Sequence, residues 1–100
     1  MSIYLIHFVV PYTHLSFNQD TYIIDVRERE EVIQGMIPSA VNVPLSVLSG
    51  ALHLPPQEFQ AQFGFEKPTA EHKLVFYCRS GMRSASAADV AKRNGYSSDK

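Results

Sequence analysis

The sequence has a single cysteine, little excess of either charge and no apolar run long enough to span a bilayer as a helix, and each shortage closes a class of function. One Cys cannot form an internal disulfide, so a disulfide scaffold is excluded, and a free thiol suits a reducing compartment. That points to an intracellular location, cytoplasmic or mitochondrial. A zinc site would also lack ligands, because His7, His14, His53 and His72 show no metal-ligand spacing, nor does any of them stand at a spacing that specifies a Cys-His catalytic pair. The formal net charge is −1, and Lys and Arg are scattered apart from Arg79 and Arg83, which argues against nucleic acid and fits a small anion better. Internal repeats, low-complexity tracts and linker-like composition shifts are absent as well. What remains is 100 residues, 45% of them hydrophobic, enough for one small domain spanning residues 1–100.

The first apolar stretch, Ile3 to Val10, lacks a basic flank and a small-residue cleavage site and is rich in β-branched and aromatic residues. It reads as a strand rather than a targeting segment, with no membrane association. Pro11 to Asp20 is patternless and reads as a connection. Thr21 to Val26 has the nearly continuous apolar character of a strand covered on both faces. Arg27 to Gln34 reads as a short helix with an apolar edge at Val32 and Ile33, closed by Gly35. Ala40 to Val43 predicts a short strand stopped by Pro44, and Ser46 a cap for a brief helix through Leu48 to Leu52. Pro55 to Gly64 has proline at its start, Phe59 and Phe63 one turn apart, and a closing glycine, the marks of another helix.

Leu74 to Tyr77 is a second apolar run leading into Cys78, and Ser84 to Asn94 predicts a helix whose alanines allow close approach to a sheet, ended by Gly95. Strands alternating with helices imply an α/β fold with a parallel sheet, in which ligands bind outside the carboxyl ends of the strands. Cys78 stands at such an end. The six residues from Cys78 to Arg83 then form a strand-to-helix turn whose backbone N–H groups converge near the sulfur.

An unperturbed thiol with pKa ~8.5 is mostly protonated at neutral pH, but a helix N-terminus and neighbouring arginines favour the thiolate. Such a thiolate attacks electrophilic sulfur or phosphorus, while N–H donors with Arg79 and Arg83 hold the anionic part of the substrate. Arg83 suits an oxyanion because its planar fork donates two hydrogen bonds at once. Gly81 allows a positive φ or a close backbone approach. A lone cysteine is often a buried structural residue. Two arginines and a glycine within five residues of it argue for function instead.

Four segments in register, Tyr22-Ile23-Ile24-Asp25-Val26-Arg27-Glu28, Gly35 to Pro44, Tyr77 to Ser84 and Asn94-Gly95-Tyr96, resemble the rhodanese family, most closely its small single-domain thiosulfate sulfurtransferase-like members. The resemblance covers about Asp20 to Tyr96. It implies a rhodanese-like parallel sheet with flanking helices and a ping-pong transfer of sulfane sulfur that needs no cofactor and no metal. Cys78 would become a persulfide on meeting a small anionic sulfur donor such as thiosulfate, then pass the sulfur to cyanide, glutathione or a protein thiol. Arg79 and Arg83, with the backbone of Ser80, Gly81, Met82 and Ser84, would bind the donor and steady the persulfide, while Asp25 and Arg27 would support the loop.

Rhodanese-fold phosphatases and arsenate reductases place five residues between the equivalent Cys and Arg, whereas four separate Cys78 from Arg83, and the tighter loop favours sulfur. An inactive or sulfur-sensing binding module is the alternative from outside enzyme chemistry. In the family a last strand and a closing helix follow the equivalent of Asn94-Gly95-Tyr96. Here only Ser97 to Lys100 follow, so the expected sheet lacks both. Ile3 to Val10 is therefore expected to fill the open edge beside Leu74 to Tyr77.

Overall fold

The computed structural model describes residues 5–9 as backbone and residues 21–79 and 81–96 in full. Its elements in chain order are β1 (Leu5–Val9), β2 (Thr21–Asp25), α1 (Arg29–Val32), β3 (Val41–Asn42), α2 (Leu45–Leu52), α3 (Pro56–Phe63), β4 (Lys73–Cys78) and α4 (Met82–Arg93). The expected connection from Pro11 to Asp20 lies outside the described residues.

The four strands form one sheet in the order β1-β4-β2-β3. β2 runs parallel to both β3 and β4, with Ile24 opposite Val41 and Phe76, which is the arrangement the alternation of strands and helices predicts. β1 joins β4 in antiparallel register, from Leu5 opposite Cys78 to Val9 opposite Leu74. The first apolar stretch therefore lies where the sequence placed it, beside β4, but it makes the sheet mixed rather than wholly parallel. An antiparallel edge strand on an otherwise parallel sheet is a common arrangement.

β4 is consequently flanked on both sides, and Leu74, Val75, Phe76, Tyr77 and Cys78 are all buried. Its continuous apolar sequence is what a central strand requires. The alanines of α4 let that helix lie close against the sheet: Ala87, Ala88 and Ala91 share one core with Ile24, Val26, Val43, Leu48, Leu74 and Phe76. Tyr96 closes the end of this core, its hydroxyl donating to the Pro68 carbonyl. Phe59 packs against Phe63 with tilted rings, centroids 4.8 Å apart, and meets Phe65 edge-on at 5.1 Å, so the phenylalanine pair of α3 is core packing. Gly64 ends α3 in the left-handed region, at φ 86°.

Three local expectations change. α2 begins at Leu45 with Pro44 as its cap, because the Leu45 N–H reaches back to the Val26 carbonyl at 3.0 Å. The Ser46 hydroxyl is instead spent on the Glu28 carboxylate, at 3.2 Å. α1 has no buried residue and Ile33 is 79% exposed, so the expected apolar edge does not face the core. α4 starts two residues earlier than expected, at Met82 rather than Ser84, which moves Arg83 from the turn into the first turn of the helix.

Candidate active site at the end of the fourth strand

β4 delivers Cys78 to the carboxyl end of a central strand, and α4 starts at Met82 just beyond it. Gly81 is the N-cap and has φ 85°, a conformation that disfavours any side chain with a Cβ. That turn aims backbone donors at the sulfur: the Gly81 N–H lies 3.1 Å from Cys78 Sγ and the Ser84 N–H 3.2 Å from it. The Ser84 hydroxyl lies 3.5 Å from Sγ and donates to the Gly81 carbonyl at 3.2 Å. As a rotatable donor, it can turn its proton to the sulfur when the thiol ionises.

These contacts favour the thiolate. Burial pushes the Cys78 thiol up, but hydrogen bonds from the Ser84 side chain and from the backbone of Ser84, Gly81 and Arg83 outweigh it, leaving the thiol below its ordinary value of 9.0. The first turn of α4 acts in the same direction, since unpaired N–H groups at a helix N-terminus favour a nearby anion. The early start of α4 and the stabilised sulfur are thus one feature: the donors belong to the helix.

The other expected site residues divide by position. Arg79 and Met82 are exposed on the loop and the first turn, and Ser80 lies outside the described residues. Ser84 is fully buried against the sulfur. Arg83 is partly exposed, and its guanidinium forms a two-point ion pair with Glu31 of α1: Nη1 to Oε1 at 2.6 Å and Nη2 to Oε2 at 3.0 Å. Glu31 also accepts the Glu28 N–H at 2.9 Å. Its pKa falls from 4.5 to about 2, first through the Arg83 hydrogen bonds and then through the Glu28 backbone.

Asp25 and Arg27 form the floor. Their side chains are almost completely buried, and Arg27 Nη2 lies 2.8 Å from Asp25 Oδ2, with Nε 3.0 and 3.1 Å from the two carboxylate oxygens. The Arg27 N–H donates to the same carboxylate at 2.9 Å, and Nη2 continues to the Gly35 carbonyl at 2.6 Å. Asn42 Nδ2 donates to the carbonyls of both Asp25 and Arg27. Tyr77, the residue before Cys78, lies opposite Asp25 in the sheet, and its hydroxyl accepts the Ile37 N–H at 3.1 Å. Burial raises the Tyr77 pKa, so the phenol stays neutral. The strand end that carries the sulfur is therefore fixed by a buried network drawn from the loops after β2 and before β3.

Sequence reasoning missed Glu31, Asn42 and Tyr77. Glu28 and Glu31 stand three apart, the spacing at which an N3 carboxylate returns to the cap backbone, and this was the available signal for Glu31. A cleft of about 450 Å³ lies elsewhere, between Arg29, the β3 edge and the residues that end α3. Its lining includes nothing from Cys78 to Ser84, so it does not serve the thiol. Among the described residues no three His, Cys, Asp or Glu side chains gather as a metal site, and no helix is long and apolar enough to cross a membrane.

The Glu31 geometry gives a pH prediction. A carboxylate whose folded pKa lies below its unfolded value stabilises the fold above the unfolded pKa, and that contribution is lost as pH falls through the folded one. In Glu31→Gln the stability deficit should be full at pH 7, shrink below pH 4.5 and vanish as the pH falls below about 2. Since both partners are about a third exposed, solvent screening limits it to roughly 0.5–1 kcal/mol. Urea unfolding of both proteins at several pH values measures it.

The model of the family described as rhodanese-like domain matches residues 12–99. A Schizosaccharomyces pombe protein named as a putative mitochondrial thiosulfate sulfurtransferase is 42% identical over 79 residues, 79% of this chain and 56% of that protein. A human thiosulfate:glutathione sulfurtransferase is 45% identical over 75 residues, 74% of this chain and 65% of that protein. The chain thus spans somewhat more than half the length of these relatives. The structure of a human single-domain sulfurtransferase superposes with a TM-score of 0.74 at 42% identity, covering 81% of this chain and 73% of that one. On its sequence, its fold and the loop at the end of its fourth strand, the chain belongs to the rhodanese-like domain family.

Proposed function

We propose that this chain is a single rhodanese-like domain that transfers sulfane sulfur from thiosulfate, or a similar anionic donor, to a thiol acceptor by way of a persulfide on Cys78. The observation that carries the reading is the convergence of the Gly81 and Ser84 N–H groups within 3.2 Å of the Cys78 sulfur, at the N-terminus of α4.

In the first half-reaction the Cys78 thiolate attacks the outer sulfur of thiosulfate. A new S–S bond forms, the old one breaks, and sulfite leaves with the bonding electron pair. In the second, an acceptor thiolate attacks the outer sulfur of the Cys78 persulfide, taking the sulfur and returning Cys78 as thiolate. Cyanide as acceptor gives thiocyanate. The ring of N–H donors stabilises the negative sulfur in both resting and persulfide states. Arg79 and Arg83, with the loop backbone at Ser80, Gly81, Met82 and Ser84, hold the sulfonate end of the donor. The Asp25–Arg27 pair holds the strand end in place. Relatives named for thiosulfate and glutathione support this donor and this acceptor class. Two relatives named as mitochondrial support a mitochondrial site of action.

Thiosulfate with cyanide should yield thiocyanate, and an aryl phosphate should release no phosphate. The opposite pattern would replace sulfur transfer by phosphatase chemistry. A persulfide without turnover would make the domain a sulfur carrier or sensor.

Ser84→Ala supplies a finer test. Loss of the hydroxyl donor raises the thiol pKa, so the rising limb of the pH-rate profile moves to higher pH. At neutral pH the first half-reaction should slow roughly three- to ten-fold, the scale of one weakened hydrogen bond to a charged group. At high pH, where the thiol is ionised in both proteins, the rates should converge.

A further inference from the structure

Arg83, expected as the main anion clamp, already holds a carboxylate. A guanidinium has five N–H donors. Glu31 takes one from each terminal nitrogen, at 2.6 and 3.0 Å, and among the described residues Nε and the remaining N–H groups are not used by it. Glu31 is itself fixed from behind by the Glu28 N–H at 2.9 Å. The charges acting on Arg83 are Glu31, Glu28 and the Cys78 sulfur, and Glu28 is turned toward the Ser46 hydroxyl. The charge of Arg83 is thus largely offset before any donor arrives, while the direction of the guanidinium is set by α1.

We propose that Glu31 is a specificity-determining positioning residue, which fixes the direction of the Arg83 guanidinium beside the loop and offsets its charge, so that a doubly charged donor is bound without trapping the sulfite that leaves after transfer. This rests on reading the loop as a sulfur-transfer site. Thiosulfate enters as a dianion and sulfite leaves as one, and an uncompensated arginine would hold both alike. Such uniform binding lowers KM without raising kcat, and it strengthens product inhibition. The carboxylate therefore tunes discrimination by donor charge, and the backbone ring around the sulfur carries the chemistry.

The experiment compares wild type, Glu31→Gln and Glu31→Asp with two donors that differ in charge, the thiosulfate dianion and the benzenethiosulfonate monoanion, at fixed cyanide. In Glu31→Gln the preference for thiosulfate over benzenethiosulfonate, as a ratio of kcat/KM, should rise roughly five-fold, the scale of one unit charge removed at a partly screened distance. The change should sit in KM, sulfite should inhibit more strongly by a similar factor, and added salt should erase the gain. Glu31→Asp keeps the charge and should restore the wild-type ratio. In wild type the donor ratio should vary little with salt, a readout that needs no variant. An unchanged ratio in Glu31→Gln, equal losses with both donors, or a steep salt dependence in wild type would overturn the proposal. Wild-type turnover of both donors alongside any of these would leave sulfur transfer standing, whereas turnover of neither would remove both readings.

Discussion

Replacing Cys78 by serine should abolish sulfur transfer while leaving the fold intact. The substitution changes one buried atom, and the cradle that accepts it, the N–H groups of Gly81 and Ser84, is built from backbone and persists. A serine hydroxyl has no accessible anion at neutral pH and no S–S bond to form, so the first half-reaction loses its nucleophile. Thiosulfate-dependent thiocyanate formation should fall at least about 10³-fold, to background, the scale seen when a catalytic nucleophile is deleted. The urea midpoint should move by no more than about 1 kcal/mol of stability, the cost of a small change in a buried contact. The wild-type rate should rise with pH with a midpoint below the ordinary thiol value of 9.0, because the nucleophile is the deprotonated form. An activity that survives in Cys78→Ser would belong to some other group.

The second large effect lies beneath the loop. Arg27→Ala leaves the fully buried carboxylate of Asp25 without its cation and frees the Gly35 carbonyl. Breaking a buried ion pair on one side costs about 3–5 kcal/mol, a large share of a small domain's total stability. The chemical denaturation midpoint should drop accordingly, with an unchanged slope if the unfolded state is the same. Removing both charges together, as Asp25→Leu with Arg27→Leu, should cost clearly less than the sum of the two single changes, since no uncompensated charge stays behind. Simple additivity would mean that the pair is not coupled in the way its geometry indicates. The same network supports Cys78 through Tyr77, so Arg27→Lys, which keeps the charge but loses the fork, should reduce activity more than it reduces stability.

The parts of this architecture that are written locally were legible. Pro56 and Gly64 bracket α3 because one lacks an N–H and the other accepts a left-handed backbone. The loop from Cys78 to Arg83 was visible because a nucleophile, a glycine and two cations stand within six residues. What was missed depends on partners far along the chain. Glu31 and Arg83 are 52 positions apart, and nothing near either names the other. The antiparallel direction of β1 is set by its pairing with β4, which the composition of the stretch does not encode. The start of α4 was misplaced because Met82 and Arg83 were assigned to a loop on chemical grounds, when the first turn of the helix supplies the anion donors itself. Asp25 and Arg27 were noticed only through family resemblance, and their burial gives the physical reason for the pattern.

The proposed transfer requires that the lowered pKa of Cys78 let its sulfur take up one more sulfur atom. Its most direct measurement is the mass of the intact protein, and of the peptide containing Cys78, after incubation with thiosulfate and again after addition of glutathione. Cys78 should gain one sulfur atom and lose it completely to glutathione as the glutathione persulfide. A folded protein whose Cys78 peptide keeps its original mass at saturating thiosulfate would contradict it.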